Sequence, residues 1–195
     1  MNNPYNTDLD RNAANYQPLT PLTFLARAAA VFPNHTAIIH GELRRSYAQF
    51  YSRSRQLASR LAACGISRGD TVSVMLANTP AMLECHYGVP MCGGVLHSIN
   101  TRLDPAAIIF QLEHTEAKIV IVDQEFFPLM KLAVDTATVK PMLIQYEDTE
   151  AQTKSIAIEA VDYEQFLQQG DENYEWLLPL DEWDAISINY TSGTT

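Results

Sequence analysis

A cluster of hydroxyl-bearing and glycine residues at the end of the chain has the residue types for phosphate chemistry. It consists of Thr191, Ser192, Gly193, Thr194 and Thr195. Glycine permits a close approach of the backbone, and amide and hydroxyl donors can converge on phosphate oxygens. The segment lacks the G-x-x-x-x-G-K-[ST] spacing of a Walker A loop. On these residues alone, a phosphate-binding loop and an ordinary polar loop both stay open.

Other residues invite a chemical role but have a simpler structural interpretation. Glu84, Cys85 and His86 adjoin one another, and neighbours in a helix point in different directions, which favours packing over a shared site. His97 lies in a predicted strand, where a hydrogen-bonded core histidine is the first interpretation and a ligand-facing one the alternative. Arg102 could meet a phosphate or form a surface ion pair. We assign none of them to the site.

The elements that must position the terminal cluster alternate between helix and strand patterns. Helices are predicted over residues 22–32, 47–63, 80–88, 106–114, 128–137 and 162–169, and strands over 37–40, 44–47, 71–75, 94–98, 118–123, 141–146 and 184–190. Strands separated by helices indicate right-handed βαβ units. The sequence therefore predicts an α/β fold, a doubly wound, mainly parallel sheet with flanking helices. The last strand leads into the terminal cluster, and such sheets bind ligands beyond the carboxyl ends of their strands.

Capping and turn residues support these boundaries. Gly65 follows the 47–63 helix and suits the left-handed position that ends many helices. Pro80 fits the first turn of the next helix, with Thr79 before it as a capping residue. Asp104 and Pro105 repeat the same pattern before the 106–114 helix.

Composition and charge exclude several classes of partner. The chain has 195 residues, 47% of them hydrophobic, which favours a globular fold. Its 13 basic and 23 acidic residues give a net charge of -10, which disfavours nucleic acid and anionic membrane surfaces. Acidic residues accumulate between residues 147 and 184. We interpret this stretch as a solvated surface, because its spacing does not follow a calcium-binding loop, the sharper alternative.

Cysteine usage and hydropathy indicate the cellular compartment of the protein. Cys64, Cys85 and Cys92 form no C-x-x-C pair, so neither a disulfide framework nor a zinc site is indicated. The polar N-terminus lacks the pattern of a secretory signal. No window approaches the ~18 to 20 continuous apolar residues of a membrane-spanning helix. We expect a protein without a transmembrane segment, located in the cytoplasm.

Four stretches in the same order resemble the adenylate-forming enzymes. Residues 188–195, I-N-Y-T-S-G-T-T, resemble the start of the family's phosphate loop. Residues 45–50 resemble its early T-Y-x-E-L segment, and residues 65–82 its G-[IV]-x-x-G-D-x-V…N-x-P segment. Residues 91–103 resemble the G-A-[VI]-x-x-x-[IL]-N-x-R-L run of acyl-CoA synthetases. The chain is identified as resembling the acyl-CoA synthetase branch of the adenylate-forming, AMP-binding superfamily.

The resemblance implies an ATP-dependent acid–CoA ligase. The carboxylate of a fatty or other small acid attacks the α-phosphate of ATP to give acyl-AMP, and the sulfur of CoA then displaces AMP. Mg²⁺ offsets phosphate charge, with its ligand residue outside this chain. Thr191, Ser192, Gly193, Thr194 and Thr195 match the loop over the β- and γ-phosphates. Their implied role is positioning and charge stabilisation, and no residue of the chain matches a catalytic one.

The resemblance also implies an incomplete domain. Residues 1–20 are expected to be a polar lead-in and residues 21–195 the incomplete N-terminal portion of the large AMP-binding domain, with the C-terminal domain absent. The family's loop lysine, magnesium-binding glutamate, ribose-binding aspartate and catalytic lysine would lie beyond Thr195, so the chain alone is expected to be inactive. Two alternatives stay open. One is an adenylating enzyme that loads a carrier-protein thiol, and the other is a noncatalytic short interaction module that presents a sheet edge.

Overall fold

A small ribbon and a six-stranded sheet form the framework of the chain. The structure, a computed structural model, describes residues 4–151 and 160–191. The antiparallel ribbon consists of β1 (Thr36–His40) and β2 (Leu43–Ser46). The sheet has the order β7-β6-β5-β3-β4-β8 with every pairing parallel. Its strands are β3 (Thr71–Met75), β4 (Val95–Ser98), β5 (Ile119–Asp123), β6 (Met142–Tyr146), β7 (Val161–Asp162) and β8 (Ser187–Ile188).

Helices cover both faces of this sheet. After a 3₁₀ turn at Pro4–Asn6, they are α1 (Leu22–Val31), α2 (Tyr47–Ala63), α3 (Pro80–Met91), α4 (Pro105–His114), α5 (Phe127–Thr136) and α6 (Tyr163–Gln168). One apolar cluster joins the sheet to α1, α2, α3 and α6. A second cluster joins the opposite face to α4 and α5. The doubly wound α/β architecture predicted from the sequence is confirmed.

The central strands show why the chain forms a two-sided sheet. Every residue of β3 and of β5 is buried. In β5, Ile119 and Ile121 belong to the first apolar cluster, whereas Val120 and Val122 belong to the second. A run of apolar, mostly β-branched residues is typical of a parallel strand that is buried on both faces.

Side-chain capping bonds mark the starts of α2, α4 and α6, and α1, α3 and α5 begin without one. Ser46 and Gln49 form a capping box at the start of α2, and Gly65 after its end has φ +89°. Asp104 accepts a hydrogen bond from the Ala107 amide, 2.9 Å away, at the start of α4. Thr79 precedes α3 as predicted, but the expectation that its side chain caps the helix is wrong, because it makes no capping hydrogen bond.

Helix α3 also runs further than predicted. It passes Gly88 and ends at Met91. An added Cβ at Gly88 would lie 2.9 Å from the Cβ of Leu57 on α2. Gly88 therefore serves the close contact between α2 and α3 and does not terminate the helix.

The last strand is shorter than the predicted 184–190 segment. Only Ser187 and Ile188 pair, and β4 is their one neighbour at this edge of the sheet. Asp184 instead accepts a hydrogen bond from the Leu180 amide, 2.8 Å away, and its carboxylate lies 3.0 Å from Nη1 of Arg68. Residues before β8 thus belong to a turn that polar contacts fix, which shortens the strand.

Two further observations concern the described parts of the chain. Cys64, Cys85 and Cys92 are free thiols. Within residues 4–151 and 160–191, no helix combines the length and the apolar character that crossing a bilayer requires.

Candidate functional site

The chain leaves the sheet at the carboxyl end of β8, where Thr191 is the last described residue. β8 runs parallel to β4, with Ile188 opposite His97, so both strands end at the same edge. Thr191 is exposed there. This is the position where parallel α/β sheets bind ligands. Ser192, Gly193, Thr194 and Thr195 lie outside the described residues, so their contacts with phosphate stay a prediction.

A cavity of about 120 Å³ with a mixed polar and apolar lining adjoins Thr191. The end of β4, the loop after it, helix α4 and the segment after β8 build its wall. Its lining residues are Ser98, Asn100, Leu103, Gln111, Tyr190 and Thr191. Five of these six side chains can form hydrogen bonds. The cavity therefore favours polar groups at the base of the predicted phosphate loop.

His97 packs against Tyr190, a lining residue of this cavity, and is not itself part of the lining. The side chain is fully buried, and its Nδ1 lies 2.8 Å from the hydroxyl of Ser73 on β3. Burial lowers the pKa of His97 to about 4, although the amide of Gln111 beside the ring opposes this effect. No atom of the described residues forms a hydrogen bond with Nε2 of His97. The imidazole is therefore neutral at physiological pH, and the core interpretation of His97 agrees with the structure.

Tyr190 is a contact residue that the sequence did not single out. Its hydroxyl lies 2.6 Å from Nδ1 of His114, at the end of α4. Its ring meets His97 edge-on, with 5.3 Å between ring centroids, and also contacts Phe110. These partners lie far apart in sequence, so only the strand order brings them together. The one local signal for these contacts was the spacing of Phe110 and His114, which are four residues apart on one helix and so can share one face.

A buried ionic network supports the other face of the sheet. Glu84 on α3 is fully buried, and its Oε1 lies 2.6 Å from Nε of Arg53 and 2.8 Å from Nη1 of Arg45. The hydroxyl of Tyr163 donates to Oε2 of Glu84 over 2.8 Å. Arg53 also binds Glu164 over 2.6 Å. This network ties α2, α3, α6 and the ribbon together, so its role is structural.

The neighbours of Glu84 face different surroundings. Cys85 is fully buried, and burial raises the pKa of its thiol. His86 is exposed, and partial burial lowers the pKa of its imidazole. Glu84 and Cys85 both face Tyr163 in the core, whereas His86 lies at the surface. The three side chains therefore form no common site, in agreement with the packing interpretation. Arg102 is likewise exposed, outside the cavity beside Thr191.

A second cavity lies between the ribbon and the start of α3. Its volume is about 240 Å³, and most of its lining surface is apolar. The lining residues are Ile38, Ile39, His40, Asn78, Thr79, Pro80, Met82, Leu83 and His86. His40 is held by Asp148 on the far side, with 2.8 Å between Nε2 and Oδ1. This cavity contains no residue of the predicted phosphate loop, so it is not the candidate site.

The acidic stretch was interpreted as a solvated surface, but part of it makes specific contacts. Glu164 binds Arg53, Asp184 binds Arg68, and Asp148 binds His40. Among the residues that the structure describes, no three His, Cys, Asp or Glu side chains are grouped to hold a metal ion. No ligand for Mg²⁺ is therefore assigned in this part of the chain.

A family profile decides the classification. The profile of the AMP-binding enzyme family matches residues 25–195. The chain belongs to the AMP-binding enzyme family. This result confirms the resemblance that the four motifs carried.

Several relatives of this AMP-binding chain are named as CoA ligases. It is 43% identical to an acetate/butyrate–CoA ligase of Arabidopsis thaliana, named as peroxisomal, and 43% identical to an acetate–CoA ligase of Humulus lupulus. It is 41% identical to a trans-cinnamate:CoA ligase of Petunia hybrida, also named as peroxisomal. Each alignment covers 96% of this chain but 35% of the relative. The chain thus spans about a third of the length of these curated relatives.

Solved structures share the fold. The anthranilate CoA ligase in complex with anthranoyl-AMP superimposes with a TM-score of 0.83 at 20% identity, over 95% of this chain and 35% of that one. A fatty acyl CoA synthetase of Mycobacterium tuberculosis gives a TM-score of 0.72 at 23% identity, over 88% of this chain and 32% of that one. At these identities, the likeness establishes the fold of the AMP-binding chain alone.

Proposed function

We propose that this chain is the N-terminal part of an ATP-dependent acid–CoA ligase. The complete protein would join ATP and a carboxylic acid into acyl-AMP and pyrophosphate, and then exchange AMP for the thiol of CoA. The observation that carries the proposal is the position of Thr191 at the carboxyl edge of a parallel sheet, in a member of the AMP-binding family. Residues 21–195 would form the beginning of the adenylation domain, after a lead-in over residues 1–20.

The proposed role of the terminal loop is electrostatic. Backbone and hydroxyl donors of Thr191, Ser192, Gly193, Thr194 and Thr195 would hold the β- and γ-phosphates of ATP while the acid attacks the α-phosphate. Donors fixed before the reaction stabilise developing charge without reorganising. Mg²⁺, when bound, would neutralise part of the phosphate charge. No nucleophile from this chain is required, because the attacking group is the substrate carboxylate.

The names of the relatives narrow the proposed substrate to small carboxylic acids. Acetate, butyrate, benzoate and trans-cinnamate each appear in the name of a relative. The test uses the full-length protein, whose reading frame we propose continues beyond Thr195, and measures AMP release with each acid in the presence and absence of CoA. CoA-dependent release supports the proposal. Release of AMP with a carrier protein but not with CoA favours the carrier-loading alternative.

A noncatalytic interaction module is the second candidate. The observations that favour it are the edge position of β8 in the described sheet and the 93% exposure of Trp183, four residues before β8. Unpaired strand edges are templates for partner strands. The genomic sequence after the codon of Thr195 separates the two candidates. A stop codon there favours the module, and an open frame that continues Gly-x-Pro-Lys favours the ligase.

We propose the cytoplasm as the compartment, because the cysteines are free and such thiols are typical of reducing compartments. Several relatives are named as peroxisomal, so the peroxisome is the competing location. Fluorescence microscopy of the full-length protein with both termini left free, tagged at an internal loop, distinguishes the two. Punctate signal that overlaps a peroxisomal marker would contradict the cytoplasmic proposal.

A further inference from the structure

A set of aromatic contacts holds the residue that directly precedes the predicted phosphate loop. Tyr190 lies two residues after β8 and one before Thr191. We call its three partners the tyrosine clamp, which consists of His97 on β4 and Phe110 and His114 on α4. Phe110 and His114 lie outside the predicted loop and outside the four family-like stretches. His97 lies within the 91–103 stretch.

Each clamp residue makes a further contact of its own, with His97 buried and Phe110 and His114 exposed. The ring of Phe110 stacks on that of His114, with 5.5 Å between centroids and an interplanar angle of 12°. His97 is anchored to Ser73 over 2.8 Å in the interior of the sheet. Tyr190 meets the His97 and His114 rings at 61° and 69°, as edge-to-face contacts. Contacts of this kind have a preferred geometry, so they orient a side chain as well as bury it.

The strand alone gives the chain little support at this point. β8 has two residues and one neighbouring strand. Beyond Ile188 the backbone leaves the sheet, and Tyr190 provides the next specific contacts. The hydrogen bond between the hydroxyl of Tyr190 and Nδ1 of His114, 2.6 Å long, fixes the position of the Tyr190 ring along the axis of α4. The direction in which residue 191 departs therefore depends on the clamp.

We propose that Tyr190 is a positioning residue for the ATP step, held by His114 and His97 so that the loop begins at a fixed point beside the sheet. This inference rests on the proposed ligase function. Tyr190 touches no phosphate in this proposal and acts through the backbone of Thr191. Misplacement of a binding loop weakens the contacts that the loop makes. In the proposed function those contacts are with ATP and not with the acid.

The test is a double-mutant cycle in the full-length protein, with the ATP–pyrophosphate exchange rate as the readout. Tyr190→Phe keeps the ring and removes the hydroxyl, and His114→Phe keeps the stack on Phe110 and removes the hydrogen bond. Each variant is expected to raise the KM for ATP about fivefold, the size of one hydrogen bond, with the KM for the acid unchanged. The double variant is expected to match the single ones, because both changes remove the same interaction.

Two control variants make the same substitutions, tyrosine to phenylalanine and histidine to phenylalanine, at positions outside the tyrosine clamp. Tyr51→Phe removes a tyrosine hydroxyl that accepts a hydrogen bond from Trp176, 2.7 Å away. His35→Phe alters a histidine stacked on Phe32, with 5.2 Å between centroids. Tyr51 lies on α2 and His35 directly before β1, both outside the tyrosine clamp, so both controls should leave the KM for ATP at the value of the unaltered protein.

The outcomes separate the inference from the proposed function. If the unaltered protein catalyses no exchange with any acid of the panel, the proposed function fails and the inference fails with it. If the unaltered protein is active and Tyr190→Phe behaves like Tyr51→Phe, the inference alone is wrong. It is equally wrong if the two changes add in the double variant, or if the KM values for ATP and acid rise together. A selective, non-additive rise in the KM for ATP supports it.

Discussion

Nε of Arg53 lies 2.6 Å from Oε1 of Glu84, inside the contact between α2 and α3. Burial would lower the pKa of Arg53, but its hydrogen bonds to Glu164 and Glu84 and their charges raise it overall. Glu84 is itself fully buried and also binds Arg45 and the Tyr163 hydroxyl. The carboxylate is thus the common acceptor of three donors from three separate elements.

Removal of this acceptor is expected to be strongly destabilising. Glu84→Ala leaves Arg53 and Arg45 with the partly exposed Glu164 as their acidic partner, so the free energy of unfolding should fall by about 3 kcal/mol, the low end for a broken buried ion pair. Urea denaturation measures this change. Asp135→Ala is the matched control, because Asp135 pairs with Lys131 on the surface of α5, and an exposed pair contributes about 0–1 kcal/mol. Equal losses in the two variants would contradict a structural role for the network.

The stability of the chain should depend on pH through His97. Its pKa is lowered by burial to about 4 in the folded chain, against 6.5 as its ordinary value. The unfolded chain therefore binds more protons between these values, and the free energy of unfolding falls as pH drops from 6.5 to 4, by up to about 3 kcal/mol. Above pH 6.5 this contribution is constant.

His97→Asn isolates this effect, since other titrating groups remain in both proteins. Thermal unfolding of the two proteins at intervals between pH 4 and pH 8 gives the comparison. We expect the variant to lose less stability than the unaltered chain as pH falls below 6.5. Parallel curves would show that His97 does not stay neutral in the folded state.

The close contact of α2 and α3 predicts an unusual response at Gly88. Alanine favours a helix interior by about 1 kcal/mol over glycine. Its Cβ would, however, lie 2.7 Å from Cδ2 and 2.9 Å from Cβ of Leu57, and such overpacking costs about 1–3 kcal/mol. Gly88→Ala should therefore destabilise the chain, as chemical denaturation would show.

The same change should cost less once part of the clash is removed. Leu57→Ala alone creates a cavity and costs about 2–5 kcal/mol. In that background Cδ2 and Cγ of residue 57 are gone, but its Cβ stays 2.9 Å from the new Cβ, so Gly88→Ala should keep a smaller cost. An identical cost of Gly88→Ala in both backgrounds would mean that Leu57 is not the residue that restricts position 88.

The local elements of this fold could be predicted because their signals are local. The buried run over β5 predicts a central strand, and Asp104 with Pro105 marks the start of α4 within a residue. β7, with two residues, was missed because so short a pairing leaves no periodicity to recognise. β8 was predicted too long, since an edge strand receives hydrogen bonds from one side only and Asp184 is drawn into a turn.

The site was harder to predict because its contacts are not local. Tyr190 and His114 are separated by 76 positions in sequence, and Glu84 and Tyr163 by 79. No spacing rule connects such pairs before the strand order is known. The hydroxyl-rich loop could be recognised since its residues are consecutive, and of these the structure describes Thr191 at the expected edge. Thr79 was assigned a capping bond from residue type, but capping depends on rotamer and local geometry.

The 195-residue chain by itself should not form acyl-AMP. It spans about a third of the curated relatives, and a loop at a free terminus loses the segment that would preorganise its donors. ATP–pyrophosphate exchange with the purified chain, beside the full-length protein as the positive control, tests this expectation. Exchange above the no-enzyme background by the short chain would overturn it.

The most direct test of the central claim is the rate of ATP–pyrophosphate exchange in a Thr194→Val variant of the full-length protein. Thr136→Val is the control, because that hydroxyl donates to the Leu132 carbonyl on α5, 2.9 Å away. If residues 191–195 hold the phosphates of ATP, Thr194→Val lowers the exchange rate by at least about tenfold while the unfolding midpoint stays unchanged. An exchange rate equal to that of Thr136→Val would contradict the assignment of this loop.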